Sequence, residues 1–322
     1  MAIWKGMVAA AFSMAALGAA HANDVYPSRP VRVLVGFAPG GATDQLARLY
    51  AKKLGEKFNQ AFVVENKPGA GGNTAVLNLT QSAPDGYTIA MAANYVAANA
   101  AMNRNQYDWE RDLMPIGMVA STPNILVVPA NSKLNSVADV IKEARQNNGK
   151  LTFGSAGMGS SIHLAGELFK VMTGVNMTHV PYKGVSPAEV DLMAGTVDMM
   201  FGSVSTAIPL VQGKKLKALA VTGRERMKAM PDIPTIEESG GLKNYSVEAV
   251  YFMAAPAKIP APILKSLADA VAEINKQPDV VAMVERLYAK PLTGGPTEVR
   301  NFLKAEVEKW QGVVKATGMK LE

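Results

Sequence analysis

Two glycine-rich turns hold the residues best placed to do chemistry in this chain. The first runs Phe37, Ala38, Pro39, Gly40, Gly41, Ala42, Thr43, Asp44, and the second Gly154, Ser155, Ala156, Gly157, Met158, Gly159, Ser160, Ser161. Each follows an apolar run and feeds a helical pattern, starting near Thr43 or Asp44 in one and near Ser160 or Ser161 in the other. A helix start leaves unpaired N–H groups and about half a positive charge. Glycines let a ligand approach that backbone, so such a turn can cradle a carboxylate or phosphate without a basic side chain. Taken singly, each turn also fits an ordinary structural connection. Facing each other from two lobes, the pair can grip both ends of a dianion and draw the lobes together.

Other chemistries lack their residue sets. Gly157-Met158-Gly159 has Ile162 where a dinucleotide fingerprint needs its third glycine, and the first turn has no Gly-Lys-Ser/Thr of a P-loop. Gly69-Ala70-Gly71-Gly72 also lacks the dinucleotide spacing and suits a turn beside the cleft. Beyond His21, the histidines are His163 and His179, and neither sits in a His-Glu-x-x-His zinc motif. His163, in the first turn of the second helix, can bond a ligand or its own loop; His179 lies within a strand and suits a structural role. Ser155 is not in a nucleophile elbow, because Phe153 takes the place of the first glycine. The carboxylates are dispersed, with no pair set for acid–base work, and the methionines fall at core positions where packing explains them. No catalysis, cofactor or metal is expected.

The elements that must position these turns alternate between strand and helix, the mark of an α/β fold. Residues 31–37 form a buried strand, and Leu46, Tyr50, Leu54 and Phe58 then mark one helix face. Strands are expected at 62–64 and 88–91, then at 116–119 and 125–128, where the chain passes between lobes. A second series follows: strands at 151–153, 177–180, 197–201 and 216–221, with a helix over 162–172. A long apolar strand at 247–254 returns the chain, and helices cover 261–275, 279–287 and 297–316. The expected division is lobe 1 from residues 23–124 and 247–322, and lobe 2 from residues 125–246.

The N-terminus predicts export. Lys5 precedes an apolar run that ends in Ala20-His21-Ala22, the small-x-small pattern of a cleavage site, so residues 1–22 are expected to form a cleaved signal peptide. The run is shorter than the roughly 20 residues of a membrane span. The chain has no cysteine, which excludes disulfides, thiolate metal sites and a lipidated N-terminal cysteine. A soluble periplasmic monomer is the expectation. The formal net charge of +6 favours anions without naming them. The basic residues are scattered and lack the aromatic interleaving of a nucleic-acid surface.

These residues resemble the Bug family, the periplasmic solute-binding proteins of tripartite tricarboxylate transporters. The resemblance spans the mature chain. It runs from Tyr26-Pro27-Ser28-Arg29-Pro30 through the first glycine turn and Val64-Glu65-Asn66-Lys67-Pro68-Gly69-Ala70-Gly71-Gly72-Asn73. It continues at His163-Leu164-Ala165-Gly166-Glu167-Leu168-Phe169, Val180-Pro181-Tyr182-Lys183-Gly184, Leu219-Ala220-Val221-Thr222 and Pro231-Asp232-Ile233-Pro234-Thr235.

It implies a two-lobed type II periplasmic-binding-protein fold with a ligand cleft between lobes. It also implies a small carboxylate (a di- or tricarboxylate, an acidic or amidated amino acid, or an aromatic acid) held largely by backbone N–H groups and water. Carried onto this chain, the contacts are Phe37, Ala38, Pro39, Gly40, Gly41, Asp44, Asn94, Tyr95, Ser155, Ala156, Gly157, Met158, Gly159, Ser160, Ser161, His163, Gly202 and Ser203. Many relatives carry aspartate where this chain has Gly202. Its loss is expected to widen the cleft and tilt the ligand from amino acids toward a plain dicarboxylate or an aromatic acid. Thr74-Ala75 also replaces the usual Ile-Gly, without a consequence. The expected partners are that carboxylate and the membrane subunits of a transporter; a sensor that docks on a membrane receptor is the alternative.

Overall fold

The computed structural model describes residues 26–103 and 106–317; the expected signal peptide lies outside them. The first lobe opens with β1 (Val31–Val35), α1 (Ala42–Phe58), β2 (Phe62–Asn66), α2 (Asn73–Thr80) and β3 (Thr88–Ala93). β1 pairs in parallel with both β2 and β3. All six residues of β3 are buried, as a strand covered on both faces requires. α1 turns Leu46, Tyr50 and Leu54 into the core, the face that the sequence periodicity marks. Two short helices follow, α3 (Tyr95–Ala101) and α4 (Trp109–Asp112), the second capped by the Asp108 carboxylate.

β4 (Leu113–Pro129) then leaves this lobe for the next. The sequence shows two apolar runs here, whereas the structure has one continuous strand. Pro123 falls where the strand changes neighbours, a place where a missing N–H costs little. Residues 113–123 pair with β9, and Asn124 onward lies between β7 and β8.

The second lobe contains α5 (Val137–Gln146), β5 (Thr152–Ser155), α6 (Ser161–Thr173), β6 (Thr178–Pro181) and α7 (Val185–Ala194). It continues with β7 (Met199–Ser203), α8 (Val204–Gln212), β8 (Leu216–Val221) and α9 (Ile236–Gly240). Its sheet runs β6-β5-β7-β4-β8, with β5 parallel to β6 and β7 and with β4 antiparallel to β7 and β8. β9 (Glu248–Pro256) returns to the first lobe and inserts antiparallel between β3 and β4. The tail adds α10 (Ala261–Ile274), α11 (Pro278–Arg286), β10 (Lys290–Pro291) and α12 (Pro296–Thr317).

One fully buried threonine ties the crossings together. The backbone N–H of Thr222 donates to the Asn124 carbonyl at 2.9 Å, and its own carbonyl accepts from Val247 N at 3.0 Å. Its hydroxyl accepts from Asn124 N at 2.8 Å and donates to the Val247 carbonyl at 2.5 Å. β4 and the entry to β9 are thereby fixed to each other where both leave one sheet for the other. Thr222→Val keeps the shape but strands two buried backbone groups, at about 1–3 kcal/mol each. Urea denaturation should show a loss of about 2–6 kcal/mol, with Thr222→Ser close to the parent. An unchanged valine variant would remove this knot from the structure's support.

Candidate functional site

A cavity of about 40 Å³ lies between the lobes, a few times the ~10–15 Å³ that one water needs. Lobe 1 supplies Phe37, the start of α1 at Gly41, Ala42 and Thr43, and then Ala93, Asn94 and Tyr95 at the end of β3 and start of α3. The crossing strands supply Asn124, Ala249 and Tyr251. Lobe 2 supplies Ala156, then Ser160, Ser161 and Ile162 at the start of α6, Val185 at the start of α7, and Ser203 just before α8.

Helix N-termini thus converge on one space. The caps of α1, α7 and α8 (Gly41, Gly184 and Ser203) make no side-chain hydrogen bond to the first turn. In α6, Ser160 caps only the His163 N–H. The remaining first-turn N–H groups need acceptors from outside their own helices. Among the described residues, no lysine, arginine, aspartate or glutamate lines the cavity. The charge that the wall offers a ligand is therefore that of the helix-start dipoles, which suits an anion of modest size.

The first turn is held from behind. Asp44 is buried, and its carboxylate accepts from Gly40 N at 3.0 Å, Arg48 Nε at 2.9 Å and Asn66 Nδ2 at 2.9 Å. Burial raises its pKa, but the hydrogen bonds from Arg48, Asn66 and Gly40 outweigh this and hold it below the usual range. Asn66 also donates to the Phe37 carbonyl at 2.9 Å. Asp44 is therefore the brace of the turn and does not line the cavity. Ala38 and Pro39 face the other lobe: Ala38 N donates to the Lys183 carbonyl at 3.0 Å, and Ser186 Oγ donates to the Pro39 carbonyl at 3.3 Å.

The second turn is braced by histidines. Gly157 N donates to Ser155 Oγ at 3.0 Å, and Ser155 Oγ lies 2.6 Å from His179 Nε2. The His179 tautomer sets which of these two atoms donates to the other. Burial, with a smaller push from Lys170, brings His179 down to about 4. Ser160 Oγ donates to the Gly157 carbonyl at 2.6 Å, and Gly159 N donates to His163 Nδ1 at 3.1 Å. Of the two roles open to His163, its Nδ1 takes the loop.

Gly157, Met158 and Gly159 lie outside the cavity wall. They abut the 69–72 turn of lobe 1, where Gly71 has φ +61 and a Cβ on it would collide with the Met158 carbonyl.

Of the eighteen expected contacts, Phe37, Gly41, Asn94, Tyr95, Ala156, Ser160, Ser161 and Ser203 line the cavity. Ala38, Pro39, Gly40, Asp44, Ser155, Gly157, Met158, Gly159, His163 and Gly202 stand behind or beside it. Gly202 turns the other way: a Cβ there would meet Ala207 Cβ and Val127 Cγ2, each at 3.4 Å. The room expected from its missing side chain is therefore inside lobe 2 and not in the cleft.

Sequence reasoning missed Ala42, Thr43, Ala93, Asn124, Ile162, Val185, Ala249 and Tyr251. Two signals were available. Tyr182-Lys183-Gly184 is a third strand-to-helix glycine turn, and Ala249 and Tyr251 share one face of a strand already recognised as crossing between the lobes.

Residues 46–319 match the model of the tripartite tricarboxylate transporter family receptor. The chain is 32% identical over 311 residues to BugT of Bordetella pertussis, covering 96% of this chain and 95% of that protein. A Rhodopseudomonas palustris protein solved with adipate superposes with a TM-score of 0.86 at 34% identity, over 91% of this chain and 98% of that one. The MatC protein of the same organism, solved with bound malate, gives a TM-score of 0.85 at 29% identity, over 90% of this chain and 100% of that one.

The His179 brace carries a pH prediction. Its pKa is depressed from 6.5 to about 4, so the unfolded chain binds more protons across that window and stability is lost as pH falls through it. Glu189 works oppositely: burial raises it from 4.5 to about 7, and its contribution is lost as pH rises. Melting curves should show His179→Gln, which keeps a polar partner for Ser155 but does not titrate, flattening the fall between pH 6.5 and 4. Equal slopes in the two proteins would exclude His179 as the titrating group.

Proposed function

The chain belongs to the tripartite tricarboxylate transporter receptor family, and from that premise we propose that it captures a small organic carboxylate in the periplasm and delivers it to the membrane subunits of a transporter. Membership of this family makes it a binding protein and not an enzyme. The observation that carries the ligand class is the convergence of α1, α6, α7 and α8 N-termini on a cavity with no charged side chain among its described lining residues. Backbone N–H groups of these first turns take the carboxylate oxygens. Phe37, Tyr95, Tyr251 and the surrounding alanines enclose the carbon skeleton.

A plain dicarboxylate or an aromatic acid suits this wall better than an amino acid, since no carboxylate among the described lining residues faces an ammonium. Relatives of similar fold were solved with adipate and with malate. In this reading residues 1–22 are a signal removed on export and the protein acts as a monomer. The segments 23–124 with 247–322, and 125–246, close as two bodies about the Thr222 knot. Gly41, Ser160, Ser161 and Ser203 meet the ligand, while Asp44, Ser155 and His163 hold the turns that do.

Adipate, malate and benzoate should be tested by thermal shift. A bound acid stabilises by about 2.7 kcal/mol at a hundredfold excess over Kd, growing with the logarithm of its concentration. No shift with any of them at millimolar concentration would count against the carboxylate reading. Gly41→Asp places a carboxylate on the α1 N-terminus. Gly41 has ordinary backbone dihedrals, and a Cβ there would meet Val185 Cγ2 at 3.6 Å and Val185 Cβ at 3.8 Å, ordinary contacts, so the fold should survive. Affinity should fall more than about 100-fold through loss of a charge-assisted contact and like-charge repulsion; unchanged affinity would remove this turn from the site.

A further inference from the structure

Among the described residues, the buried side-chain polar atoms without a hydrogen-bond partner are Tyr95 Oη and Asn124 Nδ2. Both residues line the cavity between the lobes. A buried amide N–H left unpaired is costly enough that its persistence calls for a physical reason.

Asn124 is held on every other side. Its backbone N–H and carbonyl are both bonded to Thr222, within a strand paired on each edge. Only the side chain leaves the sheet. Its Oδ1 accepts from Ser161 Oγ at 3.2 Å, at the first position of α6. That contact fixes the carboxamide and leaves Nδ2 as the unspent donor. The residue is 2% exposed and Nδ2 is buried, so bulk water does not serve it.

We propose that the Asn124 carboxamide is a specificity-determining donor for the bound acid, oriented by Ser161 and completed only when a ligand oxygen accepts from Nδ2. This rests on the carboxylate reading above. It adds a side-chain contact on the crossing strand to the backbone contacts at the helix starts. It also places recognition at the hinge itself, because the residue that meets the ligand is the one that Thr222 ties to the β9 entry. An acid with an oxygen in reach of β4 therefore completes the hinge residue's hydrogen bonding and closes the lobes together. A cation or an apolar solute leaves Nδ2 unpaired.

The test uses the purified protein with Asn124→Leu and Asn124→Ala. Without added acid, Asn124→Leu exchanges an unsatisfied amide for an apolar side chain of similar size. Because leucine also removes the acceptor for Ser161 Oγ, the reference is Ser161→Ala, which loses that bond alone. The melting temperature of Asn124→Leu should be no lower, and a fall of more than about 3 °C below Ser161→Ala would show the amide to be structurally satisfied and overturn the proposal. With adipate, malate and benzoate as probes, each acid that stabilises the parent should bind Asn124→Ala about 10- to 100-fold more weakly. Equal affinity would overturn the proposal while leaving the carboxylate reading in place. If none of the three acids stabilises the parent, it is the carboxylate reading that fails, and the acid-free arm alone decides the role of the amide.

Discussion

Helix starts buried against one another, with no cation among the described lining residues, set the terms for this molecule. First-turn N–H groups must find acceptors, and a cavity walled by the N-termini of α1, α6, α7 and α8 concentrates that demand in one place. An anion meets it and water meets it in part. Using dipoles in place of lysine or arginine has a physical consequence: the attraction is short-ranged and directional. It rewards a carboxylate seated at the helix axes and does little for one that is misplaced.

The braces behind the turns follow from this. Donors that are themselves backbone groups cannot adjust by rotating a side chain, so the turns must be fixed. Asp44 and Asn66 fix one, and Ser155, Ser160, His163 and His179 fix the other. The lobes meet through equally inflexible contacts, with Ala38 bonded to Lys183 and Gly71 pressed on Met158. Closure and ligand geometry are therefore set by the same few peptide units, while β4 and Thr222 give the lobes a common origin.

The parts of the structure legible in the sequence were those with local causes. Period-2 and period-3.6 patterns gave most strands and the long helices α1, α6, α10 and α12, and the glycine turns identified two of the converging helix starts. The short helix α3 escaped because nearly all its residues are buried and leave no clear stripe, while α7 and α8, of ten and nine residues, bury one face too short to carry a sustained period. α8 even carries Pro209 within it. The crossing-strand wall was hidden for a different reason: Asn124, Ala249 and Tyr251 become neighbours only once β9 has inserted beside β4. The role expected for Gly202 failed on direction. Ser203 faces the cavity, so strand alternation turns its neighbour to the opposite face. Asp44 and His163, expected as ligand contacts, bond the backbone of the turns themselves.

Backbone amide chemical shifts would test the dipole-held anion most directly. In a 15N-labelled sample titrated with the carboxylate that stabilises the protein most, the largest downfield amide-proton shifts should fall on the first turns of α1, α6, α7 and α8, near Ala42, Thr43, Ser161, Ile162 and Val185. Large shifts confined to lysine- or arginine-bearing surfaces, with these first-turn amides unmoved, would contradict a site built from helix N-termini.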